Sequence, residues 1–178
     1  MKIAFSGRSG AGKDFLAKEL INNHSYVRAS FSDQVKKLCN IIYPWVDKDY
    51  PPIIKETKQV VNYEGVTYEF IPREMWIGID FLRQKDKYIY IRMLEKELSY
   101  LMVDNVVITD IRTKEELEFC KSNDYKIIYI ESSKHIYDNN DFDNFTDEVR
   151  NVSDYIFIND HNGLLKFKEF IKKELNEN

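Results

Sequence analysis

Five short apolar runs alternate with helical stripes along the chain. Residues 2–6 contain Ile3-Ala4-Phe5, the pattern of a buried first strand. From Asp14 to about Asn22, Leu16, Ala17, Leu20 and Ile21 recur at helical spacing. Residues 26–31 form a second strand-like run. Ser32 then stands as an N-cap for a helix striped by Val35, Leu38, Cys39 and Ile42. Val106-Val107-Ile108-Thr109-Asp110 is almost continuously apolar, as a central parallel strand requires. Thr113-Lys114-Glu115-Glu116 reads as a capping box opening the next helix. Lys126–Ile130 and Tyr155–Ile158 are further strands, and Leu164, Phe167, Ile171 and Leu175 stripe a last helix. Strands separated by helices predict an α/β fold: three layers, a central parallel sheet and right-handed crossovers.

Two stretches break this rhythm. All four prolines lie between residues 44 and 72. Within that stretch, Gln59–Tyr63 and Val66–Phe70 flank Glu64-Gly65, which predicts a small hairpin. Pro72 suits the first turn of a helix carrying Met75, Ile79 and Leu82. A longer helix follows over about Asp86–Met102, with Ile91, Leu94, Leu98 and Leu101 on one side. The second stretch, 132–153, is polar and predicts a loop or a short helical excursion. The chain is therefore expected to be one domain, with an insertion over 44–102 whose irregular part, 44–72, lies over a substrate site, and a loop region over 132–150 as the candidate lid.

Composition narrows the class. The chain has 178 residues, 43% apolar and 31% charged, enough for one sizeable core. A net charge of −4 argues against a broad grip on nucleic acid. Cys39 and Cys120 lie far apart in helical patterns and are expected to be reduced packing residues of a cytoplasmic protein. No run approaches the ~20 apolar residues of a membrane span, and the first residues read as a strand rather than a leader.

The chemistry starts at Gly7-Arg8-Ser9-Gly10-Ala11-Gly12-Lys13-Asp14, between the first strand and the first helix. Gly7, four residues, then Gly12-Lys13 is the spacing of a P-loop, so a P-loop NTPase fold is expected. Glycines let successive N–H groups turn toward phosphate oxygens, and the helix N-terminus adds its dipole. Lys13 can reach the β- and γ-phosphates and is expected to be exposed in the turn. Asp14 stands where Ser or Thr usually meets magnesium; a carboxylate can hold that ion through water or cap the helix. Asp110, ending a buried strand, is the second magnesium candidate, against a plain turn cap. Arg112 lies two residues on, at the sheet edge where open α/β sheets bind ligands. Asp33, after the second strand, can orient magnesium, accept a proton or complement the helix start. Arg73, Arg83 and Arg92 form a group of guanidinium forks suited to a phosphate monoester. Arg73 and Arg83 would stand roughly 15 Å apart on one continuous helix. Either that helix breaks near Gly78 or only one of the two grips the phosphate.

Several of these pieces resemble the deoxynucleoside monophosphate kinases of bacteriophages and bacteria. Gly12-Lys13-Asp14 is similar to that family's P-loop end, and Phe31-Ser32-Asp33-Gln34-Val35-Lys36 to its Phe-Ala-Asp-Pro-Leu-Lys stretch. Pro72-Arg73-Glu74-Met75 with Gly78 and Arg83 resembles its Pro-Arg-Glu segment. Ile108-Thr109-Asp110-Ile111-Arg112 resembles its Asp-Val-Arg strand end, and Ile158-Asn159-Asp160 its late Asn-Asp turn near the adenine of ATP. Gln34 replaces a proline, Ile79-Asp80 departs from the Gly-Thr continuation, and 44–71 diverges.

The resemblance implies a nucleoside-monophosphate-kinase-like fold and transfer of the ATP γ-phosphoryl group to a (deoxy)nucleoside monophosphate, with ATP and Mg²⁺ as cofactors. It implies donor contacts from Gly7, Arg8, Ser9, Gly10, Ala11, Gly12, Lys13, Asp14, Phe15 and Asn159. Acceptor contacts fall to Asp33, Lys36, Arg73, Arg83 and Arg112, magnesium to Asp14 and Asp110, and catalysis to Lys13, Asp33 and Arg112. Of lid cations there are only Lys134 and Arg150, which Arg8 would supplement. The implied partners are small nucleotides, with no nucleic acid polymer and no membrane; a homodimer is allowed. Animal-type phosphomevalonate kinase is a second resemblance, through Gly10–Phe15, Asp143-Asn144-Phe145 and His161-Asn162-Gly163. A P-loop nucleotide-binding protein without turnover is the third reading.

Overall fold

The computed structural model describes residues 1–134 and 144–175. They form two compact units: residues 1–30 with 98–175, and residues 31–97.

The first unit is built on five parallel strands, β1 (Lys2–Ser6), β2 (Val27–Ala29), β5 (Val106–Ile111), β6 (Lys126–Ser132) and β7 (Tyr155–Asn159), in the order β2-β5-β1-β6-β7. Helices α1 (Lys13–Asn23), α5 (Lys114–Ser122), α6 (Asn144–Arg150) and α7 (Leu165–Phe170) flank the sheet. This is the expected α/β architecture with a central parallel sheet. Strand β5 is buried along its whole length, which explains its continuous apolar sequence. Ile3, Phe5, Val107, Ile128 and Ile130 pack on Leu16, Ala17 and Leu20 of α1 and on Phe167 of α7. Because β1 is central, chain order reverses on its two sides, so the loop leaving β1 lies at a switch point of the sheet.

Local signals hold up well here. Thr113 accepts from the Glu116 N–H while the Glu116 carboxylate receives the Thr113 N–H, the expected capping box. Strand β2 is shorter than the 26–31 run. The last helix changes from α to a wider π-type turn over Ile171–Leu175. The polar stretch after β6 contains α6; residues 135–143, with His135 and Asp143 of the expected lid, lie outside the described residues.

The second unit holds α2 (Phe31–Ile42), the hairpin strands β3 (Gln59–Tyr63) and β4 (Val66–Phe70), α3 (Pro72–Asp80) and most of α4 (Ile89–Leu101). The hairpin has the predicted bounds. Glu64 and Gly65 both take positive φ (51° and 80°), the two-residue turn that matches strand twist. Helix α2 begins one residue before the expected cap, so Ser32 lies inside its first turn. Helix α3 runs through Gly78 to Asp80 and then tightens to a 3₁₀ turn over Phe81–Gln84 that carries Arg83, so of the two alternatives the chain does not break at Gly78. The core is aromatic: Trp45 stacks on Tyr68 at 3.9 Å and meets Tyr43 and Tyr63, around buried Val35, Cys39, Phe70, Ile79 and Tyr90. The two cysteines are free and buried, as expected of packing residues. Among the described residues no helix is long and apolar enough to cross a membrane.

Candidate functional site

The loop between β1 and α1 has a shape only glycine allows. Gly7, Gly10 and Gly12 take φ of 136°, 77° and 88°. A Cβ at Gly7 would lie 2.2 Å from the Ile130 carbonyl oxygen, and one at Gly12 would lie 2.4 Å from Asn159 Nδ2. The chain at both positions is thus pressed against β6 and β7, and its other side forms a cradle opening on the first-turn N–H groups of α1. These residues fit a phosphate group.

Lys13 corrects the expectation of an exposed turn residue. It is buried, and its ammonium donates to the carbonyls of Gly7 at 2.5 Å and Arg8 at 2.9 Å. The same charge that suits a phosphate bridges the loop's own mouth. Asn159 is also buried. Its amide donates to the Ala11 carbonyl at 2.9 Å, and its oxygen accepts the His161 N–H at 3.0 Å. The structure places Asn159 as a strut behind the loop. His161 in turn lies 2.7 Å from Ser132 Oγ, joining the ends of β6 and β7. Ser9 lines a cavity beside the loop, and Phe15 is 44% exposed on the first turn of α1.

The two magnesium candidates sit in different surroundings. Asp14 is exposed and receives Arg28 Nε at 3.1 Å. Asp110 is buried and receives Ser30 Oγ at 2.8 Å. The cap of the following helix is Thr113, which removes the plain capping alternative for Asp110. Beside Asp110 the β1–β5 register shifts between Ala4 and Ser6, and Ser6 Oγ donates to the Ile111 carbonyl at 3.1 Å. Bulges of this kind often adjoin functional sites. The Glu116 carboxylate also takes the Arg112 N–H at 2.7 Å, fixing the backbone from which Arg112 projects. Among the described residues the Arg112 guanidinium has no hydrogen-bonded partner. No group of three or more His, Cys, Asp or Glu among them could hold a metal alone. Two carboxylates fit an ion whose remaining ligands are water and phosphate oxygens.

A cavity of about 320 Å³ lies beside the loop, lined by Arg8, Ser9, Ala11, the end of β6 and α6. Its arginines are held by carboxylates. Arg8 grips Asp147 through Nε at 3.1 Å and Nη2 at 2.5 Å, and Arg150 holds Glu131 at 2.9 and 3.1 Å. The Arg8 hydrogen bond holds the Asp147 carboxyl below its ordinary range, and Tyr129 adds a weaker contact at 3.3 Å. Burial pushes the Tyr129 hydroxyl up, so it stays a neutral donor.

In the second unit the acceptor candidates are also paired. Asp33, in the first turn of α2, holds Lys36 at 3.1 Å. Arg73 pairs with Glu56, both side chains nearly half exposed. Arg83 is more confined: Asp80 binds it at 3.1 Å and its guanidinium lies 5.0 Å from the Tyr90 ring centre. Arg92 pairs with Asp86 at the surface. Sequence reasoning missed Ser30 as the partner of Asp110 and Glu131 and Asp147 as partners of the lid-side arginines. It also missed Trp76, whose buried indole N–H has no hydrogen-bond partner among the described residues.

No protein-family model matches the chain. It is similar to a protein of Acanthamoeba polyphaga mimivirus described as a "putative deoxynucleotide monophosphate kinase", with 28% identity over 133 residues, 67% of each chain. Among solved structures, a shikimate kinase from Bacteroides thetaiotaomicron superposes with a TM-score of 0.47 at 12% identity, covering 99% of this chain and 98% of that one.

Proposed function

We propose that the protein is an ATP-dependent kinase that moves the γ-phosphoryl group of ATP to a (deoxy)nucleoside monophosphate, giving the diphosphate. The observation that carries this reading is the loop itself: three positive-φ glycines, a helix N-terminus and the Lys13 ammonium meet where the sheet order reverses. The named relative supports the same reaction class.

The acceptor is already an anion, so positioning and charge neutralisation do the work. The loop N–H groups and the α1 dipole hold the donor phosphates. Lys13 exchanges the Gly7 and Arg8 carbonyls for phosphate oxygens, keeping its charge at the transferring group. Asp14 and Asp110 would hold magnesium, mainly through water. Bound magnesium would supply neutralisation of the β- and γ-phosphate charge. Ser30 keeps the Asp110 carboxylate in one orientation. Arg112 in the sheet unit and Arg73 in the helical unit are each a proposed contact of the acceptor phosphate; Arg73 must exchange Glu56 for it, an exposed and therefore weak pair. Arg83, confined by Asp80 and Tyr90, is the poorer candidate. Asp33 and Lys36 serve the acceptor side. Arg8 and Arg150 are the donor-side cations, released as anionic phosphate replaces Asp147 and Glu131. We further propose that the protein works in the cytoplasm on small nucleotides.

The test is coupled ADP release with the four deoxynucleoside monophosphates, their ribose forms and phosphomevalonate, each with and without Mg²⁺. Magnesium-dependent ADP release with a nucleoside monophosphate is the expected result. Release with phosphomevalonate alone would reassign the acceptor. ATP binding with no release under any condition would leave a nucleotide-binding protein without turnover.

A further inference from the structure

The second unit contains a donor group that its own packing does not explain. The Trp76 indole nitrogen is sealed from solvent and donates to nothing among the described residues. Such a buried, unpaired N–H costs roughly 1–3 kcal/mol. Met75 and Trp76 of α3 pack at the edge of the aromatic core, with the Tyr50 ring 6.1 Å from the Trp76 ring. From α2, the Lys36 ammonium lies over the Trp76 ring, 5.4 Å from its centre, and Asp33 holds it there at 3.1 Å. Two donors from two helices therefore meet at one ring, the ammonium over its face and the N–H in its plane. Only one of them has an acceptor.

We propose that Trp76 and Lys36 together recognise a carbonyl oxygen on the base of the acceptor nucleotide. This rests on the reading of the protein as a nucleoside monophosphate kinase. A carbonyl oxygen has two lone pairs and accepts from both donors at once; a ring nitrogen has one. Guanine, cytosine and thymine carry an exocyclic carbonyl. Adenine does not. Base binding requires the side chains that seal the indole N–H to move aside, and the Lys36 ammonium then turns to the same oxygen. Asp33 is a positioning residue in this arrangement, because it sets where the ammonium starts.

The protein has two tryptophans, so the indole N–H region of a ¹⁵N–¹H spectrum holds two signals, assigned by Trp76→Phe. Saturating dGMP, dCMP and TMP should each move the Trp76 indole proton downfield, and dAMP should not. In Trp76→Phe, the ratio of kcat/KM for dGMP over dAMP should fall about tenfold, the loss expected for one hydrogen bond. Acceptors that turn over while the Trp76 signal stays still would overturn the inference and leave the kinase reading standing. So would an equal shift with dAMP. Failure of all four to bind or turn over would remove both. Should Trp76→Phe fold poorly, Trp45→Phe assigns the two signals instead, and the wild-type indole shifts then decide the matter.

Discussion

The two units hold their polar residues in different ways. In the sheet unit the groups behind the loop are fixed by buried hydrogen bonds, Asn159 to Ala11, Ser30 to Asp110, Ser6 to Ile111 and Lys13 to Gly7, and its outer charges, Arg8 with Asp147 and Arg150 with Glu131, form exposed pairs. In the helical unit the cations are held by partly or well exposed carboxylates: Lys36 by Asp33, Arg73 by Glu56 and Arg83 by Asp80. Buried bonds are costly to leave unmade, whereas exposed ion pairs contribute ~0–1 kcal/mol and exchange readily. On the proposed function, the difference would be a division of labour: a common donor met by a largely preformed cradle, and a variable acceptor by charges that can change partners.

The largest expected effect comes from the cradle. Lys13→Ala removes the charge at the transferring phosphate and should lower kcat by ~10²–10³, read by coupled ADP release. Turnover near wild type would break the donor half of the comparison. Because Lys13 also bridges the loop mouth, the same variant should loosen the loop while the sheet core stays folded by circular dichroism.

Asn159→Ala leaves the Ala11 carbonyl without its buried donor, a loss of ~1–3 kcal/mol. A strut behind the donor loop predicts a raised KM for ATP with the acceptor KM nearly constant. Equal changes in both would show that Asn159 serves general stability instead.

Arg73→Lys should reduce kcat/KM for the acceptor about tenfold, because a point charge replaces a bidentate fork, and leave the KM for ATP in place. An unaffected Arg73→Lys beside a disabled Arg83→Lys would exchange the two roles.

The smallest effect concerns acid. Arg8 holds Asp147 below the ordinary carboxylate range, so this pair stabilises the fold at pH values above the unfolded carboxyl's ~4 and loses that contribution as pH falls through the lower folded value. The difference in Tm between wild type and Asp147→Asn should stay flat from about pH 5 to 8 and close only below about 4. A difference that changed near neutral pH would point to another titrating partner.

Much of this protein is written locally. The hairpin strands, the Thr113–Glu116 box, the glycine loop and the continuous run of β5 each depend on residues within a few positions of one another. Spacing and periodicity therefore reveal them. The bounds shifted where the local signal was weak: β2 kept three residues because only Val27–Ala29 pair with β5, while α3 passed Gly78, the alternative that a cost of only ~1 kcal/mol for a single glycine left open.

The candidate site was half legible for the same reason. Sequence alone determined the residue types: a lysine after glycines, a carboxylate ending an apolar strand, arginines in one stretch. Tertiary structure decided their partners, because those contacts join residues far apart in the chain. Asn159 meets Ala11 across 148 positions, Arg8 meets Asp147 across 139, and Ser30 meets Asp110 across 80. Whether a charge is free, paired or buried depends on which distant atoms fold against it. So Lys13 became a buried bridge and Trp76 an unpaired donor only when the elements had packed.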